Sequence, residues 1–344
     1  MTDQQWNMLL QVLDGKSVKP LPTGFIIDSP WLPGWSGNTI IDYFSSDETW
    51  LNANLEVVRT FPEVMFFPGF WSEYGMCTEP SAFGARCVFP ANEFPHAHKV
   101  LRSVEDIANL PEPDPRTDGL LPFMLNRLKR LQPQIHDAGH TIRFAVARGP
   151  LNIASYLMGS TELLTTMMMQ PEHAESLMQK ITSFLKNWLD LQMQTFPSID
   201  GIFLLDDIIG FIGHEEFKRF GLPYFKALYG LGGSVRFLHN DAPSRVSAPL
   251  LTDMGVNLFN MGYDVPLNEL KELTNNRVTL LGNLPPRDVL ASGDKQIVKS
   301  ETRALLDSLQ DTSRIILSCG GGMPPQVSND NIRAFIETVQ AYSR

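Results

Sequence analysis

Eight short apolar runs, each followed by a stretch with helical periodicity, restrict this chain to very few architectures. The runs fall at 24–28, 64–67, 141–147, 201–205, 234–239, 257–260, 278–281 and 314–318. They are nearly continuous in apolar residues rather than alternating, as strands buried on both faces require. The stretches between them carry apolar residues at helical spacing. In 171–195, for example, Ala174, Leu177, Met178, Ile181, Leu185 and Trp188 line one face. Strand–helix alternation implies a parallel sheet, and a count of eight favours a closed (β/α)₈ TIM barrel of class α/β over an open sheet. One more amphipathic helix, 3–13, precedes the first strand. No repeat or linker interrupts the 344 residues, so a single domain over 1–344 is expected.

Charge and cysteine usage exclude several classes of partner. The net charge is −10, from 38 acidic and 28 basic residues, with no basic stripe. No nucleic acid and no anionic membrane are therefore expected as partners. No apolar run reaches the roughly 20 residues of a membrane helix. The start, Met1 to Trp6, lacks the basic-then-apolar order of a secretory signal. Three cysteines, Cys77, Cys87 and Cys319, are too few and odd in number for a disulfide framework. A cytoplasmic protein with reduced thiols and a small-molecule ligand is the expectation.

A barrel gathers its chemistry at the carboxyl ends of its strands. Those ends carry Asp28, Asp206-Asp207, His239-Asn240-Asp241 and Cys319, with Glu73 just past the second strand. Imidazole, carboxylate and thiolate are all zinc donors, and a catalytic zinc keeps about three of them plus an open position. His239, Asp241 and Cys319 are thus candidate metal ligands. A buried histidine at a strand end is more often a hydrogen-bonded core residue, and Cys319 equally packs under the glycine turn. Asp206 reads as a general base or as a group orienting a ligand, with Asp207 less so; otherwise Asp207 caps a helical turn and Asp206 pairs with Arg143 or Arg148. Glu73 and Asp28 orient substrate, or are solvated. Gly320-Gly321-Gly322 offers backbone amides to a phosphate, without a nucleotide-binding pattern. Trp31, Trp35, Phe70 and Trp71 suggest an aromatic wall. The irregular segment 71–115 is long enough to be functional, either a lid over the mouth or a surface excursion.

Three motifs carry a family resemblance. Phe144-Ala145-Val146-Ala147-Arg148-Gly149-Pro150, with the residues to Leu157, resembles the strand-plus-helix signature of the uroporphyrinogen decarboxylase superfamily. Gly282-Asn283-Leu284-Pro285-Pro286 is similar to its Gly-Asn-Leu-x-Pro turn, and Gly320-Gly321-Gly322-Met323-Pro324-Pro325 to its final loop. The resemblance implies the same barrel. It also implies a choice. Decarboxylases of that family bind their octa-acid with arginines in the first βα loop and a histidine in the last. Here 29–37 has no basic residue and the histidine position falls on Gly321, although Tyr156 matches a family tyrosine.

The other branch comprises zinc-dependent, corrinoid-linked methyltransferases with a His-x-Cys…Cys pattern. His239-Asn240-Asp241 and Cys319 fall on it, with Asp241 in place of cysteine. That resemblance implies zinc as cofactor and a corrinoid (cobalamin) on a partner protein. The carboxylate makes a more acidic zinc, suited to polarising the leaving oxygen of a methyl donor such as an aryl methyl ether. The sequence reading is therefore a methyltransferase component acting between a small molecule and a corrinoid protein, with homodimerisation allowed. A carboxy-lyase on a small acid, using Arg143 or Arg148, is the alternative enzyme. A barrel that binds without catalysis is the remaining one.

Overall fold

The computed structural model describes residues 1–27 and 29–342. Eight parallel strands form the (β/α)₈ barrel: β1 Gly24–Ile26, β2 Met65–Phe67, β3 Phe144–Arg148, β4 Gly201–Leu205, β5 Val235–Asn240, β6 Leu258–Met261, β7 Thr279–Leu284 and β8 Ile315–Cys319. Strands β3 to β8 make one continuous ladder, and β1 pairs with β2. Bridges Thr23↔Leu317 and Ile26↔Gly322 join β1 to β8.

Between β2 and β3 the chain's own beginning closes the wall. Met1 exchanges hydrogen bonds with Thr141, its amino group donating at 3.2 Å and its carbonyl accepting at 2.9 Å. The Gln5 amide reaches the Val64 carbonyl at 3.0 Å. The helix that carries them, α1 Asp3–Leu13, starts on a capping box: Thr2 Oγ1 accepts from Gln5 N–H while Gln5 Oε1 accepts from Thr2 N–H. Its apolar face, Trp6, Leu9, Val12 and Leu13, plugs the amino end of the barrel.

Alternation along the strands divides the core in two. Phe144 and Val146, Phe203 and Leu205, Val235 and Phe237, Leu258, Leu281 and Ile316 fill the lumen. Their neighbours Ala145, Ala147, Ile202, Leu204, Leu238, Phe259, Ile315, Leu317 and Cys319 face the helices. Phe203 stacks on Phe237 at 4.2 Å, and Phe67 meets Phe237 edge-on at 5.4 Å. Each buried Phe stabilises the fold by roughly 1.5–3 kcal/mol. Trp6 meets Phe144 at 5.4 Å. Gly201 is required beside it, because a Cβ there would lie 2.7 Å from the Phe144 ring.

The strands sit within three residues of their sequence-based bounds, and β4 falls on them. Two of the helical stretches between strands are each two helices: 39–60 divides at Ser46, and 150–169 at Gly159, whose φ of 103° an ordinary side chain resists. The long segment after β2 divides as well. Its start, through the short helix Thr78–Ala82, borders the carboxyl end of the barrel. The rest, including the two-residue ribbon Cys87–Val88 with His96–Ala97, runs over the outer helices, where Lys180 holds the Ala108 and Leu110 carbonyls. Among the described residues no helix is long and apolar enough to cross a membrane.

Candidate active site

His239 lies on the lumen side of β5, in step with Val235 and Phe237, and is 7% exposed. Its Nδ1 stands 2.7 Å from Asn260 Oδ1, and Asn260 Nδ2 donates to the Leu281 carbonyl at 2.7 Å. A carbonyl only accepts, so that second bond fixes which end of the amide faces the imidazole. Nδ1 must then carry the proton, and Nε2 is the acceptor of the neutral ring. Nε2 faces Asp241 Oδ2 at 3.6 Å. A proton on Nε2 makes the two an ion pair.

Asp241 is placed from its backbone. Its N–H donates to Asp207 Oδ1 at 2.7 Å, and Asn240 Oδ1 accepts from Ala242 N–H at 2.8 Å to tighten the turn. Burial raises the Asp241 pKa, His239 lowers it and Asp207 raises it. Its side chain keeps 55% of its surface, so solvent screens much of this. Gly321 leaves the carboxylate its room. Its φ is +75°, and a Cβ there would lie 1.9 Å from Asp241 Oδ1.

Cys319 does not join the pair. It is in step with Ile315 and Leu317, which face the helices, while Ile316 faces the lumen. Its Sγ lies 3.7 and 3.9 Å from the Gly321 and Gly322 carbonyls. Burial pushes its thiol up to about 12, with the Asp241 charge adding to the shift. Among the described residues no three His, Cys, Asp or Glu side chains gather as a metal site. The three-donor zinc expected from the sequence therefore does not fit as the side chains stand: the structure brings His239 to Asp241 and sets Cys319 on the other side of its strand.

Asp206 is fully buried and is occupied by the backbone. Its Oδ2 accepts from Leu151 and Asn152 N–H at 2.9 and 3.1 Å, at the start of the helix Pro150–Met158, and its Oδ1 from Ile208 N–H at 3.2 Å. Burial pushes its pKa up to about 8 against those three donors. It pairs with neither arginine: Arg143 binds Asp3 at 2.6 Å and Arg148 binds Glu73 at 2.9 Å. The expected base is thus a helix anchor, and Asp207 is the carboxylate that touches the His239–Asp241 turn.

Glu73 is also committed to the protein. One oxygen accepts the Ser29 hydroxyl at 2.8 Å and the other the Arg148 guanidinium. It orients Arg148 rather than standing open to a ligand. Glu79, in the segment after β2, accepts Arg148 N–H at 3.1 Å. Arg148 stacks 5.5 Å over Trp71, which meets Phe203 edge-on at 6.3 Å. Tyr156 is half-buried; burial pushes its phenol up to about 12, with Arg148 pulling it down. Asp28 lies outside the described residues.

Of the four expected wall aromatics, Trp71 alone packs with the lumen. Trp31, Trp35 and Phe70 pack in the outer layer. The glycine turn offers no phosphate cradle through Gly320 and Gly321, whose N–H groups are taken by the Leu284 and Met261 carbonyls. Asn260 was missed at the sequence level. Its signal was its place at the end of β6, level with His239.

Comparison with known proteins adds the following. The uroporphyrinogen decarboxylase (URO-D) family model matches residues 9–342. A uroporphyrinogen decarboxylase of Alcanivorax borkumensis is 25% identical over 284 residues, 78% of this chain and 77% of the relative. That of Mannheimia succiniciproducens is 24% identical over 284 residues, with the same coverage. Among solved structures, a methyltransferase from Methanosarcina mazei superposes with a TM-score of 0.80 at 18% identity, covering 96% of each chain. A B12-independent methionine synthase from Shewanella gives 0.56 at 12% identity, covering 93% of this chain and 96% of that one.

Proposed function

This chain belongs to the uroporphyrinogen decarboxylase family, and from that premise we propose that it is a methyltransferase component, moving a methyl group from an oxygen of a small molecule to a corrinoid carried by a partner protein. The observation behind this is the His239–Asp241 pair. Asn260 holds one imidazole nitrogen protonated, and Asp241 faces the other across 3.6 Å. A proton on Nε2 turns two opposed acceptors into an ion pair, so the carboxylate stabilises the imidazolium. That proton is what a leaving oxygen needs. As the methyl departs, the electron pair of the C–O bond stays on oxygen and Nε2 delivers a proton to it, leaving an alcohol or phenol. The methyl acceptor called for is a reduced corrinoid.

A second reading comes from the curated relatives, which are decarboxylases. The same proton would there go to the carbon left by loss of carbon dioxide from a small acid. An octa-acid porphyrinogen is disfavoured, because no arginine lies in 29–37.

The test incubates the purified chain with cob(I)alamin and methoxybenzenes and follows methylcobalamin by absorbance. Transfer lost in H239A and kept in C319A is the expected result. Transfer unaffected by H239A overturns the proposal, and carbon dioxide release without methyl transfer establishes the second reading. Stoichiometric zinc that requires His239, Asp241 and Cys319 together would replace the proton with a metal.

A further inference from the structure

At the carboxyl end of β3, Arg148 is 5% exposed, yet only half of its guanidinium is used. Nη2 donates to Glu73, while Nη1 is buried without a partner among the described residues. Glu79, 1% exposed, repeats the pattern. Its Oε1 accepts Arg148 N–H, and its Oε2 is buried and unpartnered. A buried polar group left unpaired calls for an explanation, and a charged one more so. Here two such atoms belong to one contacting pair of residues.

The pair is aligned with the acid site. Arg148 is the register partner of Leu205, and Leu205 of His239. All three follow the lumen-facing alternation of their strands, so Arg148 and His239 lie two strand spacings apart, about 10 Å between backbones. Trp71, under the guanidinium, and Phe203, 6.5 Å from the His239 ring, make an aromatic floor from one to the other.

We infer that Arg148 Nη1 and Glu79 Oε2 form a carboxylate-binding subsite, so that the substrate is a small aryl carboxylate held at that end with its reacting oxygen at His239. A carboxylate has two oxygens to offer two donors, whereas an amide or ester has one carbonyl oxygen. Glu73 already balances the charge of Arg148. Burial raises the pKa of Glu79 against the pull of Arg148, and a proton on Oε2 would make it the second donor. The inference rests on the proposed function only for where the chemistry occurs.

Calorimetric titration of the full chain with 4-methoxybenzoate, 4-methoxybenzamide and methoxybenzene tests it without turnover. The benzoate is expected to bind at least tenfold more tightly than the other two. R148K, which keeps the charge beside Glu73 but loses the fork, should lose that preference. So should E79M, whereas E79Q, whose amide still donates, should keep it. Benzoate binding no tighter than the amide's, or unchanged in R148K, overturns the subsite. Selective benzoate binding without any methyl transfer would overturn the proposed function alone. Methyl transfer equally efficient from methoxybenzene would overturn the subsite alone.

Discussion

Replacing Asp206 separates a catalytic carboxylate from a helix anchor. In D206A, the N–H groups of Leu151, Asn152 and Ile208 lose the acceptor they hold at 2.9, 3.1 and 3.2 Å, in a place where the native residue has no exposure. Loss of a helix-capping side chain alone costs about 1–2 kcal/mol. Buried donors left unsatisfied cost about 1–3 kcal/mol each, and the sum is not fully additive. Ile208 N–H is spared the full loss, because Asn152 Oδ1 also accepts it at 3.2 Å. About 3–5 kcal/mol is therefore expected for D206A. In D206N, one amide oxygen still serves the two donors of the helix, and only the shared Ile208 contact is lost, so about 1 kcal/mol is expected. Urea denaturation followed by circular dichroism measures both. Methyl transfer per folded molecule should be unchanged in D206N. A D206A cost below about 1 kcal/mol, or a stable D206N devoid of activity, would refute the anchoring role and restore Asp206 as the base.

Two further substitutions probe the packing around the site. G321A should cost about 1–2 kcal/mol for a left-handed alanine and somewhat more because its Cβ meets Asp241. The excess should vanish in a D241A background, and equal costs in both backgrounds would show that Asp241 does not fill that space. His140, edge-on to Phe70 at 5.4 Å, has its pKa lowered to about 4 by burial and then by the Met1 amino group. The unfolded chain binds this proton from about pH 6.5, so stability is present above that pH and is lost as pH falls from 6.5 to 4, by about 2–3 kcal/mol in all. H140Q should flatten this part of the urea-midpoint profile, and a profile identical to the wild type would refute the assignment.

The barrel was legible because each strand is buried on both faces and so reads as an unbroken apolar run. Sequence cannot show how such a run divides its residues between lumen and helices, because both sides are equally apolar. Ile315, Ile316 and Leu317 look alike in the chain, yet Ile316 fills the lumen and its neighbours meet helices. The closing of the β2–β3 seam was illegible for a related reason. It depends on Met1 and Gln5 reaching the Thr141 and Val64 backbones, contacts that leave no periodic trace.

That same ambiguity explains which site residues the sequence found. The ends of strands locate the mouth, and His239, Asp241, Asp206 and Glu73 are all there. Their roles depend on one residue of register and on who holds the other atom. Cys319 lies one step from the lumen-facing parity, enough to send its thiol to the Gly321 and Gly322 carbonyls. Asp206 and Glu73 read as free carboxylates, but backbone amides, Ser29 and Arg148 claim their oxygens. Arg148 shows the converse. It reads as a possible partner for any nearby acid, and only its unused nitrogen marks it for a ligand. A buried polar side chain is thus informative about function by its remainder after the protein's own bonds are subtracted. In this mouth Arg148 Nη1 and Glu79 Oε2 are such a remainder at one end, and the His239–Asp241 pair stands at the other. The two are joined by an apolar floor, so a ligand satisfying both must be flat, apolar in the middle and oxygenated at its ends.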